Sequence, residues 1–510
     1  MAFLERNANR GSISSDLELS NSLMMDNHGS NASSNNFNHQ QMTTGGDDQW
    51  AANANAGTND KKATISMWVK RAKLSPSSGD GQYARLFQFQ TGGNATSLYF
   101  VTDQLKMYDD VTSASLLTTR KFRDTSAWYH IVLAMDSTQA TAANRVKLYV
   151  NGEQQTAWDT EDYGNQNSDL AMFSTTNVTF YLGTASGNGQ GYAFDGYITE
   201  FHFVDGAQKA ASDFGEYDED SGIWKPKEYT ESYGTLGCYY NFEDTSNNKF
   251  NDESGNGNFM NNRGGSFEGE ITTDTPTNNF CTVRPMWTPH DSACSLTEGA
   301  TIWKINMPSG GGFNPNTSAI STFQFNSGKW YWETTWTNDG DRSVIGIVSS
   351  LSDIEQTVDP DRYIWWDGGH IPWNFSGSGS NDLNPPTYDS INTIGIALDM
   401  DNDRIAFSKD GGWLDSSGNT SDSSPGYFYS WSGTTFLSHA KANGNVAAFF
   451  GINTNANTVA PTHNINFGGY AATIRTSGGN SDANGYGNFA YSVPSGFYAA
   501  CTKNVAEYGG

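Results

Sequence analysis

Short apolar runs separated by turn residues set the strongest limit on what this chain can fold into. Segments such as ISMWVKR, SLYFVTD and AWYHIVLAMD alternate or run apolar over a strand length, and Gly, Asn, Ser or Asp separates them. In RVKLYVNGE, Val146, Leu148 and Val150 share one face before an Asn151-Gly152 turn, which predicts a half-buried antiparallel strand entering a hairpin. No long helical period and no repeat of about 20 to 50 residues occurs, so the sequence predicts an all-β fold without a solenoid or propeller.

Length and one polar stretch predict two large domains. A chain of 510 residues exceeds what one hydrophobic core usually supports, at roughly 100 to 200 residues per domain. The stretch between Phe242 and Thr277 is rich in Gly and Asn and offers few residues for burial. We therefore predict a domain boundary there. The predicted order is an N-terminal arm (1–15), a first sandwich (16–245), a linker (246–275) and a second sandwich (276–510).

Charge argues against two classes of partner. The chain carries 55 acidic and 29 basic residues, and its formal net charge of −26 repels phosphate backbones and anionic lipid. No run reaches the roughly 20 apolar residues of a membrane helix, and the opening segment lacks an apolar signal core. We therefore predict neither nucleic-acid binding nor membrane insertion.

Four widely spaced cysteines, Cys238, Cys281, Cys294 and Cys501, form no C-x-x-C pair and are predicted to be reduced.

Several motifs occur in an order that resembles known lectin-like sandwiches. ISMWVKR (65–71), AWYHIVLAMD, KLYVNG and FDGYITEFHFVDGA (194–207) resemble the laminin-G and concanavalin-A-like family. GKWYWE (328–333), IGIVSS (345–350) and IGIALDMDNDRIAFSKDGG (394–412) resemble a SPRY-type sandwich. The resemblance implies two tandem concanavalin-A-like, jelly-roll β-sandwiches behind a short N-terminal arm. Trp68 and Trp128 are then expected to be core anchors on central strands.

Three further stretches suggest a biological setting. DESGNGNFMNN (252–262), DTPTNNFCTVRP (274–285) and GYGNFAYSVPSGFYAACTKNV (485–505) resemble segments in structural proteins of marine tailed phages. The resemblance implies a structural protein on the virion surface, as a tail fibre, an appendage or a capsid decoration. Such a protein assembles in the host cytoplasm, contacts other virion proteins, forms a homo-oligomer and is a candidate for binding host-surface glycans. A receptor-recognition adhesin that binds carbohydrate and a polysaccharide depolymerase are the alternatives.

Catalytic motifs are missing from the sequence. The E-x-D-x-x-E signature of laminarinase-like hydrolases is absent, and its nearest approach, EYDEDS (216–221), has Ser221 where the second glutamate belongs. We interpret this segment as a solvated acidic loop and predict that the protein is not an enzyme. The histidines form no metal-binding pair, and His130 and His202 are predicted to be packing or edge residues within strands.

One segment has the composition of a sugar site. Exposed aromatic rings stack on the apolar face of a pyranose while amides and carboxylates bind its hydroxyls. RYIWWDGGHIPWNF (362–375) combines these groups, although a packing role for its aromatics remains the competing interpretation. The candidate ligand-binding residues are Trp365, Trp366, Asp367, His370 and Trp373.

Calcium is the one cofactor for which the sequence offers a candidate site. Laminin-G-like sandwiches often hold this ion at the sheet rim, and it prefers oxygen ligands. The acidic segment DTEDYGNQNSD (159–169) supplies such oxygens. The candidate metal ligands are Asp159, Glu161, Asp162 and Asp169, and no other cofactor is expected.

Overall fold

Strands dominate both units of the computed structural model, which divides between Thr277 and Asn278. Each unit is considered by itself below. The structure describes residues 17–25, 40–42, 57–74, 82–91, 93–173, 178–185, 192, 194–219, 221–243, 249–258, 260–262, 271–285, 294–305, 319–337, 343–348, 363–367, 392–431, 445–452, 462–469 and 479–509.

The first unit, which ends at Thr277, contains strands β1 to β19 and short 3-10 turns. In chain order these strands are β1 (Ser22–Met25), β2 (Gln40–Met42), β3 (Lys62–Arg71), β4 (Tyr83–Thr91), β5 (Asn94–Val101), β6 (Gln104–Asp109), β7 (Ala114–Lys121), β8 (Trp128–Asp136), β9 (Val146–Val150), β10 (Glu153–Gln154), β11 (Trp158–Asp162), β12 (Thr179–Leu182), β13 (Gly196–Asp205), β14 (Gly215–Tyr217), β15 (Trp224–Pro226), β16 (Cys238–Tyr240), β17 (Lys249–Phe250), β18 (Met260–Asn262) and β19 (Ile271–Thr272).

Two antiparallel sheets of the first unit pack face to face. The first sheet has the order β10-β9-β8-β3-β13-β1-β19, with β16 also paired to β13. The second sheet has the order β11-β7-β6-β5-β4-β12-β2-β18-β17. Ile65 and Leu133 of the first sheet share one buried cluster with Phe87, Phe89 and Leu98 of the second. The first unit is therefore a β-sandwich, as predicted.

The first sheet is also covered on its outer face. The segment after β13 folds back as a 3-10 turn, the β14–β15 hairpin and β16. His202, on the outer face of β13, stacks on Tyr239 with ring centroids 4.3 Å apart, and its Nδ1 lies 2.8 Å from the Tyr233 hydroxyl. The outer cluster comprises Val132, Val204, Ala211, Phe214, Tyr229 and Tyr233. Because both faces are covered, every residue of β8 and β13 is buried.

The predicted linker differs from what the structure shows. Residues 246–275 contribute β17, β18 and β19 to the first unit, and β19 pairs with β1 at the edge of the first sheet. Asp274 is buried and its carboxylate lies 2.7 Å from the Lys70 ammonium on β3. The polar composition of this segment predicted a linker. Its polar side chains, such as Asp274, instead form bonds inside the first sandwich. The boundary between the two units therefore follows Thr277.

The second unit contains strands β20 to β34 and a C-terminal helix, α1 (Thr502–Tyr508). In chain order these strands are β20 (Val283–Pro285), β21 (Cys294–Thr297), β22 (Ile302–Ile305), β23 (Ala319–Ser321), β24 (Lys329–Thr337), β25 (Ser343–Val348), β26 (Tyr363–Asp367), β27 (Ile394–Asp399), β28 (Arg404–Lys409), β29 (Gly412–Leu414), β30 (Thr420–Asp422), β31 (Tyr429–Ser430), β32 (Ala447–Ile452), β33 (Thr462–Asn466) and β34 (Tyr498–Ala499).

These strands form two further sheets. One has the order β20-β23-β32-β25-β26, and the other has the order β21-β22-β33-β24-β27-β28-β29-β30 with β31 on β28 and β34 on β24. Strand β24 is buried on both faces because Tyr331 packs with Phe489 and Phe497 of the C-terminal segment while Trp332 stacks with Phe325. The all-β class and the sandwich architecture predicted from the sequence are confirmed.

The described cysteine side chains Cys238, Cys281 and Cys501 are buried and are not in disulfide bonds. Cys281 and Cys501 lie on neighbouring segments, since the Cys281 N–H donates to the Ala500 carbonyl at 2.8 Å. None of the helices among the described residues is long and apolar enough to cross a membrane.

Candidate functional site

A continuous line of polar and aromatic side chains crosses the outer face of the second sheet of the first unit. Residues paired across neighbouring strands share a face, so the strand register defines this line. We call it the cross-strand row, and its members are Tyr181, Gln88, Ser97, Tyr108, Ser115 and Asp162. Six strands spaced about 4.8 Å apart give the row a length of roughly 24 Å.

A cluster of tyrosine rings adjoins this row. The Arg85 guanidinium lies over the rings of Tyr99, Tyr108 and Tyr192, at 4.4, 5.3 and 5.4 Å from their centroids. Tyr83 contacts two of the same rings, edge-on to Tyr99 and stacked on Tyr192. We call these four rings around Arg85 the tyrosine cluster. The charge of Arg85 is attracted to the ring faces of Tyr99, Tyr108 and Tyr192, which stabilises their arrangement.

All four rings of the tyrosine cluster are half-buried, so each keeps part of its surface in solvent. Burial raises the pKa of Tyr99 by more than the nearby positive charge of Arg85 lowers it, so the net shift is upward. Tyr99 is therefore a neutral phenol at physiological pH, able to donate and accept hydrogen bonds.

Two buried polar atoms beneath this face lack hydrogen-bond partners among the described residues. They are Nε of Arg85 and Oε1 of Gln88, whose side chains are 8% and 5% exposed. The other groups of these side chains are engaged, since Arg85 donates to Ser97 and Gln88 donates to Gln90.

Lys106 is the second cation of this face. It pairs with Tyr99 across β5 and β6, and its Nζ donates to the Ser115 hydroxyl at 2.7 Å. An ammonium has three N–H donors, so this bond leaves others for a second acceptor. Desolvation lowers the pKa of Lys106. At the far end of the row Asp162 accepts a hydrogen bond from the Gly164 N–H.

The predicted sugar-binding segment belongs to the second unit. Trp365, Trp366 and Asp367 lie on β26, the terminal strand in the order of its sheet, opposite Gly346, Ile345 and Val344 of β25. The positions of their side chains, and residues His370 and Trp373 as a whole, lie outside the described residues. This site stays a prediction.

The predicted calcium ligands are spread along β11 and the loop after it. Asp159 accepts a hydrogen bond from the Gln104 side chain, and Asp162 accepts one from the Gly164 N–H. Asp169 forms an ion pair with Lys61. Within the part of the chain that the structure describes, no group of three or more His, Cys, Asp or Glu side chains is placed to hold a metal ion. Calcium binding by Asp159, Glu161, Asp162 and Asp169 therefore stays a prediction as well.

A serine–histidine pair lies on the outer face of the first sheet. His130 Nε2 lies 2.8 Å from the Ser66 hydroxyl, while His130 Nδ1 lies 2.9 Å from Nε1 of Trp224. Indole N–H groups only donate, so Nδ1 must accept and Nε2 must carry the proton. This tautomer gives Ser66 a hydrogen bond and cannot remove its proton. Burial lowers the pKa of His130 to about 3. His130 and His202 are buried within strands, which confirms their predicted packing role.

The acidic segment EYDEDS folds differently from the predicted loop. Its first residues form β14, and β14 pairs with β15 as a hairpin. Lys225 on β15 lies 3.6 Å from Glu216 and 3.4 Å from Asp218. These two carboxylates therefore share one ammonium as a counter-ion.

Comparison with known proteins gives a family match over part of the first unit. A family model described as the concanavalin A-like lectin/glucanases superfamily matches residues 44–212. This range ends before β14, so it excludes the hairpin and β16 that cover the first sheet. Comparison with curated proteins gives no match.

Solved structures similar to the chain include three with sequence identities of 12% to 14%. A heptameric SAP-like pentraxin from Limulus polyphemus is 12% identical, with 37% of this chain and 77% of that chain covered and a TM-score of 0.25. The SPRY domain of human HERC1 is 12% identical, with 34% and 92% covered and a TM-score of 0.23. The TRIM65 PSpry domain is 14% identical, with 36% and 89% covered and a TM-score of 0.24.

Proposed function

We propose that the first unit binds carbohydrate through the outer face of its second sheet. The observation that carries this proposal is the tyrosine cluster around Arg85, whose four half-buried rings keep part of their surface in solvent. The family model that matches residues 44–212 includes lectins in its description and supports the same proposal.

Each part of this face has a role in the proposed binding. Half-buried tyrosine rings offer flat surfaces on which the apolar face of a pyranose ring stacks. The half-buried hydroxyl groups of Tyr181 and Ser115 in the cross-strand row supply donors and acceptors for its hydroxyls. The row is roughly 24 Å long and crosses six strands, which suits an extended chain of several sugars better than a single one.

We further propose that the protein binds without cleaving its ligand. The nearest match to a glycosidase motif has its carboxylates Glu216 and Asp218 paired with Lys225 on a hairpin of the outer layer. A glycosidase needs one carboxyl group free to donate a proton and a second one to act as nucleophile or base. The tautomer of His130 also argues against Ser66 as a nucleophile.

The proposed setting is the surface of a tailed-phage virion. It rests on the sequence resemblance of segments 252–262, 274–285 and 485–505 alone. In this setting the protein is a homo-oligomeric fibre, appendage or decoration that contacts other virion proteins. Immunogold labelling of intact particles tests the setting, and finding the protein only in infected-cell lysate would contradict it.

The binding proposal is tested with the full chain on a glycan array, followed by calorimetry with the best ligand. We expect Tyr108→Ala to weaken binding by about tenfold or more, because truncating one stacking ring costs about 1.5 kcal/mol or more. Tyr217→Ala is the matched control, since Tyr217 is 51% exposed on the β14–β15 hairpin of the same unit. We expect this control to bind like the wild type.

Three outcomes would contradict parts of the proposal. Absence of any glycan ligand, or unchanged affinity of the Tyr108 variant, removes the proposed site. Loss of binding in Trp365→Ala with normal binding in Tyr108→Ala would place the site on β26 instead. Release of reducing ends from the bound glycan would show that the protein is a depolymerase.

A further inference from the structure

Positive charge is concentrated on the outer face of the second sheet, beside the tyrosine cluster. Arg85 on β4 and Lys106 on β6 are both in register with Tyr99 on the strand between them, so the three residues share this face. Two strand spacings separate Arg85 from Lys106, which places their Cα atoms roughly 10 Å apart. Lys121 on β7 pairs with Gln104, which precedes Lys106 by two residues and therefore also shares its face.

None of these three cations forms an ion pair with a carboxylate among the residues that the structure describes. Their hydrogen-bond acceptors are neutral, namely the hydroxyl groups of Ser97 and Ser115 and, for Lys121, two carbonyl oxygens. Elsewhere in the first unit a buried cation does pair with an acid, as Lys70 does with Asp274. A charge held partly away from water is stabilised by an opposite charge, so the positive charge of this face is available to an anionic ligand.

This local positive charge contrasts with the charge of the whole chain, in which 55 acidic residues outnumber 29 basic ones. A polyanion is therefore repelled by the molecule at long range. Salt screens that repulsion beyond about 8 Å at physiological ionic strength, whereas contacts on the face itself act over shorter distances. The cations of the face consequently determine whether an acidic ligand binds there.

Lys106 has the position that suits direct contact with such a ligand. It is half-buried, in register with Tyr99 and two residues from Tyr108, so its ammonium lies among the rings that would stack on a sugar. One hydrogen bond, to the Ser115 hydroxyl at 2.7 Å, leaves its other N–H donors for a ligand. Desolvation lowers the pKa of Lys106, and an anion bound beside it would oppose this effect, because an opposite charge favours the ammonium form.

We propose that the ligand of this face is an acidic polysaccharide, whose carboxylate or sulfate groups bind at Lys106 and Lys121. This inference rests on the proposed function, because it assigns a class of ligand to the same site. Sugar rings stack on the tyrosine cluster, while the acidic groups accept charge-assisted hydrogen bonds from the two ammonium groups. Arg85 is only 8% exposed, so it contributes its charge rather than a direct contact.

The β11 end of the face limits where acidic groups bind. Asp159, Glu161 and Asp162 are exposed on this strand, and their carboxylates repel an anion. The acidic groups of the ligand are therefore expected over β5 to β7, and the sugar over β11 is expected to be uncharged. The ligand that fits this pattern alternates acidic and neutral sugars rather than carrying a charge on every one.

The test measures binding of the full chain to two acidic polysaccharides and their neutral counterparts by isothermal calorimetry. The probes are hyaluronan, carboxyl-reduced hyaluronan, keratan sulfate and desulfated keratan sulfate. We expect at least one acidic chain to bind about tenfold or more tightly than its neutral counterpart, and this advantage to shrink as salt rises from about 0.05 to 0.5 M. A preference for hyaluronan identifies the acidic group as a carboxylate, and a preference for keratan sulfate identifies it as a sulfate.

Lys106→Met keeps the length of the side chain and removes its charge. It should lower the affinity for the acidic chain by about tenfold more than the affinity for the neutral chain, and Lys106→Arg should retain most of the preference. Lys227→Met is the matched control, because Lys227 is exposed in the segment that covers the first sheet and donates to the Ser212 carbonyl at 3.2 Å. This control should bind both chains like the wild type.

Each contrary result is distinct. Equal binding of acidic and neutral chains that is still lost in Tyr108→Ala overturns this inference and leaves the proposed carbohydrate site in place. An equal loss in Lys106→Met and Lys227→Met would show that net charge, rather than this face, sets the affinity, and also overturns it. If Lys106→Met does not fold, Lys121→Met provides the same comparison, since Lys121 is exposed.

Discussion

Asp274→Ala tests whether the predicted linker is part of the first sandwich. The Asp274 carboxylate lies 2.7 Å from Lys70 Nζ and accepts a hydrogen bond from Trp128 Nε1 at 3.0 Å. The side chains of Lys70 and Asp274 are only 1% and 2% exposed. Removing one partner of a buried ion pair costs about 3–5 kcal/mol, because the other charge stays buried. At roughly 2 °C per kcal/mol for a large domain, the melting temperature of the first unit should fall by about 6–10 °C.

Differential scanning calorimetry of the full chain measures this fall, with two variants as controls. Glu231→Ala breaks the ion pair of Lys209 with a carboxylate that is 59% exposed, and it should cost roughly 1 kcal/mol or less. Adding Lys70→Met to Asp274→Ala should recover much of the loss, since no buried charge then needs a partner. If Asp274→Ala costs no more than Glu231→Ala, the assignment of this segment to the sandwich is wrong.

Two other substitutions probe the covered sheet faces. Burial raises the pKa of Glu333 to about 7, against the opposing hydrogen bonds from the N–H groups of Ala490 and Tyr491. Because the pKa of Glu333 is higher in the folded chain than in the unfolded chain, its contribution to stability is complete below about pH 4.5. This contribution is lost as the pH rises through 7. Glu333→Gln should therefore flatten the melting temperature of the second unit between pH 5 and 8, and an unchanged pH dependence would contradict this assignment. Gly215→Ala would place a Cβ 2.6 Å from the Trp224 indole and should destabilise the first unit by about 1–3 kcal/mol, measured by urea unfolding. A neutral effect would show that the indole can move.

Periodicity alone was enough to predict the hairpin after β8. Val146, Leu148 and Val150 are buried and alternate with half-buried residues along β9. The Asn151-Gly152 turn then leads into β10, which pairs back onto β9. In a strand with one covered face, apolar and polar residues alternate because every second side chain faces water. The sequence therefore predicts which side chains point into the core.

For strands that are covered on both faces, the sequence did not predict where each buried side chain packs. Trp68 and Trp128 were predicted to be core anchors, and both are buried on central strands. They point away from the space between the sheets, however. Trp68 stacks on His130 with ring centroids 4.8 Å apart, and Trp128 bonds to Asp274. An apolar residue on a doubly covered strand shows that its face is buried but not which segment covers it.

The candidate site was missed because it depends on strand register. Arg85 and Gln88 are three residues apart, so on a regular strand they would lie on opposite faces. An irregularity in the pairing of β4 with β5 between Arg85 and Phe87 brings both onto the outer face. Such bulges redirect side chains without a clear sequence signal. The tyrosines themselves were visible in the strand segments, but their convergence on Arg85 was not.

The acidic character of β11 has a consequence for how the molecule behaves at high concentration. β11 ends the second sheet in the order of the described strands, and four of its five residues, among them Asp159, Glu161 and Asp162, are exposed. An open edge of this kind invites a strand from another molecule to add to the sheet. Carboxylates along it repel an identical edge, so we expect the folded protein to resist edge-to-edge aggregation at low salt and to lose part of that protection at high salt, which screens the repulsion.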